Sequence, residues 1–238
     1  MARTTFIYFF VGSYIAVAAP IGLLWFLLSG RGDLLFRLGH FCIRVAGWMC
    51  GVKVEVQGRE HIRGDQPYLF LSNHQGNLDG PVLFYATGRN LLAVIKKEIM
   101  RIPILAWVLR ALSFVPIDRS DAIKARTGID RATRLLKEGY SFFAFPEGTR
   151  SRTGQLGEFK KGVFLMAINA GVPVLPVTIC NSRALQPPGC YAIKPGKIKV
   201  IFHEPIPTDQ LQLEHRDRLM RLTRSTIEAG ISPARPSR

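Results

Sequence analysis

His74 and Asp79 lie in the segment Asn73-His74-Gln75-Gly76-Asn77-Leu78-Asp79, with four residues between them. A neutral imidazole can take up a proton near pH 7. An aspartate bonded to its other ring nitrogen would fix the tautomer and stabilise the imidazolium that forms. These are two members of a catalytic triad, and the chemistry turns on what they activate. Read alone, the pair is a weak signal, and the structural account is the commoner one: a histidine in a turn, followed by an aspartate that caps a helix.

A second candidate is Phe145-Pro146-Glu147-Gly148-Thr149-Arg150-Ser151. Glycine lets a backbone approach a ligand closely, Thr149 and Ser151 offer hydroxyls, and Arg150 can grip a phosphate with two hydrogen bonds. A polar turn after a strand would have the same composition. No G-x-x-x-x-G-K-[ST] segment is present, so nucleotide hydrolysis is not indicated. Two basic spots accompany these turns. Asp118-Arg119 ends Pro116-Ile117-Asp118-Arg119 and could be a surface pair. Lys160, in Phe159-Lys160-Lys161-Gly162, stands at an expected helix start, where free amides favour anions.

The elements that must position these residues alternate along the chain. Tyr68–Leu71 reads as a short buried strand that delivers the His74 turn, with Asp79-Gly80-Pro81 opening a helix. Val52–Val56 alternates with period two, as a half-exposed strand does, and Leu91–Ile95 is another apolar run. Ser120-Asp121 can cap a helix whose Ile129, Ala132 and Leu136 share a face and which Gly139 ends. Phe142–Phe145 is a buried strand closed by Pro146-Glu147-Gly148. A helix from Phe159 to Gly171, an apolar strand Val172–Ile179 with two prolines, and a strand Lys197–His203 follow. A charged helix is expected from about Thr208 to Ala229, with a loose basic tail after it. The alternation implies an α/β fold, a mixed and largely covered sheet flanked by helices.

Ahead of this lies a hydrophobic region. No charged side chain occurs between Arg3 and Arg31, and roughly 20 apolar residues suffice to span a bilayer. Ala16-Val17-Ala18 resembles a signal-peptidase site, yet the apolar run continues past it through Leu28, so a retained anchor is the expectation. In the next segment Arg37, His40 and Arg44 fall on one helical face, as in a helix lying in the headgroup region or packing on the soluble part. Pro20 and Gly22 could kink the first segment. Positive charge is denser after it than before, which puts the body of the protein on the cytoplasmic side if it crosses.

With 238 residues the chain suits one main domain plus an appendage. The expected division is an N-terminal membrane anchor and interfacial helix over 1–50, the main domain over 51–230, and a basic tail over 231–238. The formal charge of +15 calls for an anionic partner. The hydrophobic N-terminus and the scatter of Lys and Arg favour a membrane surface, and the absence of nucleic-acid-binding signatures argues against DNA or RNA. Cys42, Cys50, Cys180 and Cys190 have no C-x-x-C spacing and no histidine cluster beside them, so no zinc site is expected.

Taken in order, these blocks resemble the glycerolipid acyltransferases, and within them the 1-acylglycerol-3-phosphate acyltransferases. The resemblance runs from about Val52 to Pro207. It rests on Asn73-His74…Asp79, on Lys97-Glu98-Ile99 with Pro103 and Asp118-Arg119, on Phe145–Arg150, on Phe159–Gly162, and on Val172-Pro173…Pro176. It implies a membrane enzyme of phospholipid biosynthesis in which His74 is the general base on a lysophospholipid hydroxyl and Asp79 orients it. The hydroxyl would attack an acyl thioester, from acyl-CoA or acyl carrier protein, with no cofactor or metal. Arg119 would bind the acceptor's phosphate. Glu147, Gly148, Thr149 and Arg150 would shape the acceptor site, with Arg150 and Lys160 as further phosphate contacts, and the strand from Val172 to Val177 would line the donor side. The implied product is phosphatidic acid, made at the inner membrane with the catalytic domain on the cytoplasmic face. One departure is Gly76, where family members often carry serine; the expectation is that this turn faces the substrate and affects acceptor preference. Two rivals remain. The same chemistry could act on a lyso-ornithine lipid, another lysophospholipid or glycerol 3-phosphate. Alternatively, the chain could bind lipid without turnover, a reading against which the intact His74, Asp79, Glu147 and Arg150 argue.

Overall fold

A computed structural model describes residues 1–118 and 121–231. Arg119 and the tail beyond Ile231 lie outside the described residues. The chain opens with two helices, α1 (Ala2–Ser29) and α2 (Asp33–Met49). Helix α1 continues through Pro20 and is long and apolar enough to cross a membrane. It leaves Phe6, Phe9, Leu24, Leu27 and Leu28 exposed, so the chain carries a membrane-associating surface. Gly30 ends it in the left-handed region, φ 68°, and donates its N–H to the Phe26 carbonyl. The chain then folds back. Tyr14 donates its hydroxyl to Leu38 O at 3.0 Å, its ring lies 5.9 Å from Phe41, and Gly22 admits Leu35 to within 2.4 Å of where a Cβ would stand.

The face expected from Arg37, His40 and Arg44 divides. Both arginines are exposed, whereas His40 is partly buried with its ring edge-on to Phe84 at 6.0 Å. Helix α2 therefore leaves one face exposed and packs on the domain with another.

Seven strands follow: β1 (Val52–Gln57), β2 (Leu69–Ser72), β3 (Leu92–Lys96), β4 (Val115–Ile117), β5 (Phe142–Ala144), β6 (Val174–Cys180) and β7 (Gly196–Phe202). They form one sheet in the order β1-β7-β6-β2-β5-β3-β4, parallel at every pairing except β6 with β7. Every residue of β2 and β5 is buried, as expected of central parallel strands covered on both faces. Edge strand β1 alternates, with Lys53, Glu55 and Gln57 exposed. Pro176 is accommodated in β6 because the β7 ladder starts only at Val177; its carbonyl still accepts from His203 N at 3.0 Å.

Helices α3 (Asp79–Thr87), α4 (Pro103–Ala111), α5 (Ala122–Lys137), α6 (Gly162–Ala170), α7 (Ser182–Leu185) and α8 (Arg216–Ile231) complete the fold. Asp121 caps α5, accepting from Ile123 N at 3.0 Å and Lys124 N at 3.1 Å, while Ala132 and Leu136 are fully buried. The last helix starts later than its charge pattern suggests. Thr208 is buried, donating its hydroxyl to Val172 O at 2.8 Å, and thereby pins a loop instead of opening the helix. The short α4, β4 and α7 were not marked by periodicity.

Candidate active site

Strands β2 and β5 are parallel neighbours, with Leu69 opposite Phe142 and Leu71 opposite Ala144. Their carboxyl ends therefore deliver residues 73–79 and 145–151 side by side, where open α/β sheets place their chemistry. The two turns are stitched together. His74 N donates to Glu147 Oε1 at 2.7 Å, and Ser151 N to His74 O at 2.7 Å.

In the first turn, Asn73 is fully buried and copies a strand pairing with its side chain. Its Nδ2 donates to Ile179 O and its Oδ1 accepts from Ile179 N, both at 2.8 Å. This locks the residue before His74 to β6. The imidazole is then held on two sides. Nδ1 lies 2.7 Å from Asp79 Oδ2, and the ring stacks on Phe145 with centroids 3.8 Å apart and planes 11° from parallel. The same Oδ2 accepts from Gln75 N at 2.7 Å and Gly76 N at 2.8 Å. Asp79 is fully buried, and its Oδ1 has no partner among the described residues.

The aspartate is thus not a helix cap. Leu78 holds the cap position of α3 without a side-chain hydrogen bond, and Asp79 sits in the first helical turn with its carboxylate directed back at residues 74–76. That placement still sets negative charge at a helix N-terminus, where it is favoured. With Nδ1 committed to Asp79, the other ring nitrogen is the one left to take a proton, and the side chain remains 20% exposed to receive it.

Glu147 is 5% exposed and clamps backbone: beside the His74 bond, its Oε2 accepts from Gly157 N at 2.7 Å. Burial raises the pKa of its carboxyl above the ordinary 4.5, while these two N–H groups and His74 pull the other way. Gly148 adopts φ 72°, a backbone that glycine accepts readily, and the Lys160 stem lies 3.5 Å from where a Cβ would stand. Lys160 N donates to Pro146 O at 2.7 Å, which holds that lysine beside the turn; α6 itself starts two residues later, at Gly162. Thr149 and Arg150 are exposed. The site therefore gathers His74, Asp79, Glu147, Gly148, Thr149, Arg150 and Lys160, while Arg119 falls outside the described residues. Asp118, just before it, pairs with Lys97 Nζ at 2.6 Å.

Gly76 departs from expectation. It is buried against the backbone of α7, and a Cβ there would meet Ser182 C at 2.8 Å and O at 2.9 Å. The glycine answers to that close approach. Two further residues went unassigned from sequence: Phe145, which supports the imidazole, and Asn77, whose Oδ1 accepts from Arg150 Nη1. Phe145 looked like a strand end, and an asparagine in a turn carries no distinctive signal.

The acyltransferase family pattern matches residues 53–180. A chloroplastic 1-acyl-sn-glycerol-3-phosphate acyltransferase of Brassica napus is 38% identical over 156 residues, 65% of this chain and 45% of that one. The chain thus spans less than half the length of that relative. One of the same name from Pseudomonas aeruginosa is 34% identical over 183 residues, covering 74% of this chain and 69% of its own. In three dimensions, the crystal structure of the 1-acyl-sn-glycerophosphate acyltransferase of Thermotoga maritima superposes with a TM-score of 0.86 at 28% identity, covering 100% of this chain and 97% of that one.

Proposed function

The chain belongs to the acyltransferase family, and we propose that it transfers a fatty acyl group from an acyl thioester to the free hydroxyl of 1-acyl-sn-glycerol 3-phosphate, giving phosphatidic acid. The observation that carries this reading is the His74 Nδ1–Asp79 Oδ2 contact of 2.7 Å beside the Arg150 turn. His74 accepts the hydroxyl proton through Nε2 as that oxygen attacks the thioester carbonyl. The new C–O bond forms, the C–S bond breaks, and the proton passes from imidazolium to the departing thiolate. Asp79 orients the ring and stabilises its positive charge. The attacking nucleophile is the acceptor itself, so the scheme requires no serine or cysteine of the protein.

Arg150, Arg119 and Lys160 supply positive charge for the acceptor's phosphate. The donor is acyl-CoA or acyl carrier protein. Helix α1 meets the rest of the protein at both ends: Ile7 packs with Cys50 and Ile193, and Leu23 and Phe26 pack on the main core. A helix held this way supports a hairpin immersed in one leaflet; the net basic charge favours the anionic cytoplasmic leaflet of the inner membrane, with the catalytic domain on that face.

The test is thiol release and acylated-lipid formation by purified protein, offered both donors and a panel of 1-acylglycerol 3-phosphate, glycerol 3-phosphate and lyso-ornithine lipid. Turnover preferring the first acceptor and lost in His74→Ala is expected. A preference for lyso-ornithine lipid, which has no phosphate, would overturn the assignment.

A further inference from the structure

Asn77 joins the candidate phosphate-binding arginine to the lipid-associated helix. Its Oδ1 accepts from Arg150 Nη1. Its Nδ2 donates to Pro187 O at 3.3 Å and Cys190 O at 3.4 Å, and its backbone N–H to Gln186 O at 3.1 Å. The asparagine is therefore fixed from the loop after α7, independently of Arg150. That loop is fixed in turn by α1. Gln186, 2% exposed, donates through Nε2 to the Tyr8 hydroxyl at 2.7 Å, and the Tyr8 ring lies on Tyr191 with centroids 4.9 Å apart. Arg3 Nη2 donates to Ile193 O at 3.2 Å, and Ile193 N donates to the buried Thr4 hydroxyl at 3.2 Å.

The chemistry of this link is specific. A guanidinium has five donors on a flexible stem, and holding it in place before the ligand arrives lowers the ordering cost of binding. An amide oxygen holds it without cancelling its charge and leaves the other N–H groups for an anion. A carboxylate in the same place would compete with the phosphate.

We propose that Asn77 is the positioning residue that sets Arg150 for the acceptor's phosphate, and that the 186–193 loop makes this setting depend on the seating of helix α1. The proposal rests on the reaction assigned above. It ties acceptor recognition to the element that meets the lipid, so the arginine is in place when the helix is.

The test is steady-state kinetics of the full chain in phosphatidylglycerol-containing vesicles, with 1-acylglycerol 3-phosphate varied at a saturating thioester. Asn77→Ala should raise the acceptor KM about tenfold, the effect of about one hydrogen bond to a charged group, with kcat within about twofold and the donor KM unchanged. Asn77→Asp should raise it at least as much, and more at low salt. Tyr8→Phe keeps the tilted ring contact with Tyr191 but removes one oxygen from an accessible helix; it should raise the acceptor KM about threefold with vesicle binding unchanged. This variant carries the test if the Asn77 variants do not fold. The decisive measurement is Asn77→Ala in an Arg150→Ala background, where no further rise is expected. If Arg150→Ala raises KM but Asn77→Ala does not, or if the two effects multiply, the positioning role is overturned while acyl transfer stands. An unchanged KM in Tyr8→Phe overturns the link to α1. A wild type that makes no phosphatidate removes the parent reading and this one with it.

Discussion

The turns that leave β2 and β5 emerge side by side from one sheet, yet they are built differently. Residues 73–79 are held by many hydrogen bonds: Asn73 is tied to β6, and a single oxygen of the buried Asp79 gathers three donors. Residues 145–151 are clamped at Glu147 and at Ser151 but leave Thr149 and Arg150 exposed between them. A proton acceptor works only within a narrow range of distance and angle, so rigidity serves the first turn. An anion grip works over a wider range, so reach serves the second, which draws its order from a neighbour.

The sharpest way to break this comparison is at the rigid turn. His74→Ala should lower kcat by about 10³-fold, within the range general-base catalysis supplies, while the melting temperature moves little; thiol-release assays and calorimetry read the two. Residual turnover near wild type would remove the proposed base. Asp79→Ala should cost activity on a similar scale and also about 3 kcal/mol of stability, because the donors of His74, Gln75 and Gly76 lose their acceptor. Chemical denaturation measures that loss, and a silent Asp79→Ala would show the turn to be less rigid than its bonding implies.

At the second turn the expected effect is smaller and different in kind. Arg150→Ala should raise the acceptor KM about tenfold with little change in stability, since the side chain is exposed. Equal losses in kcat would instead make Arg150 a transition-state contact.

Glu147 tests the clamp between the turns. Its folded pKa is raised, so the fold favours the protonated carboxyl. The stability it contributes is fully present below the ordinary glutamate value of 4.5 and falls as pH rises through the raised folded value. Melts of wild type and Glu147→Gln across mildly acidic to neutral pH should show the wild type losing ground to the variant as pH rises. The opposite trend would mean that the two backbone N–H groups outweigh burial.

The smallest effect on turnover is expected at Gly76. Gly76→Ser must displace the Ser182 backbone at the start of α7, costing about 1–3 kcal/mol. A shift in acceptor preference without loss of stability would return this position to the substrate-facing role that its motif suggested.

Much of this was legible in the residues. The apolar runs at Tyr68–Leu71 and Phe142–Phe145 mark β2 and β5 because central parallel strands bury both faces. Asp121 and Gly171 mark helix ends because caps are local chemistry. Other features were hidden because they depend on where the folded chain directs a side chain, whether back onto its own turn or toward a partner distant in sequence. Asp79 reads as a cap until its carboxylate is seen bonded back to His74, Gln75 and Gly76. Thr208 reads as a helix start until its hydroxyl is seen anchored to Val172. Arg37, His40 and Arg44 share a face by period, but only packing shows that His40 turns toward Phe84.

The sequence by itself determined the types and order of the reacting groups, the α/β alternation and the lipid-seeking N-terminus, because residue chemistry and hydrophobic period act over a few residues. Only the tertiary structure decided which nitrogen of His74 is left for the proton, why Gly76 is a glycine, and what holds Arg150. The first answer depends on how the turn folds the Asp79 carboxylate back onto His74; the other two lie in contacts with α7 and, through the 186–193 loop, with helix α1, between residues that the sequence separates by as many as 190 positions.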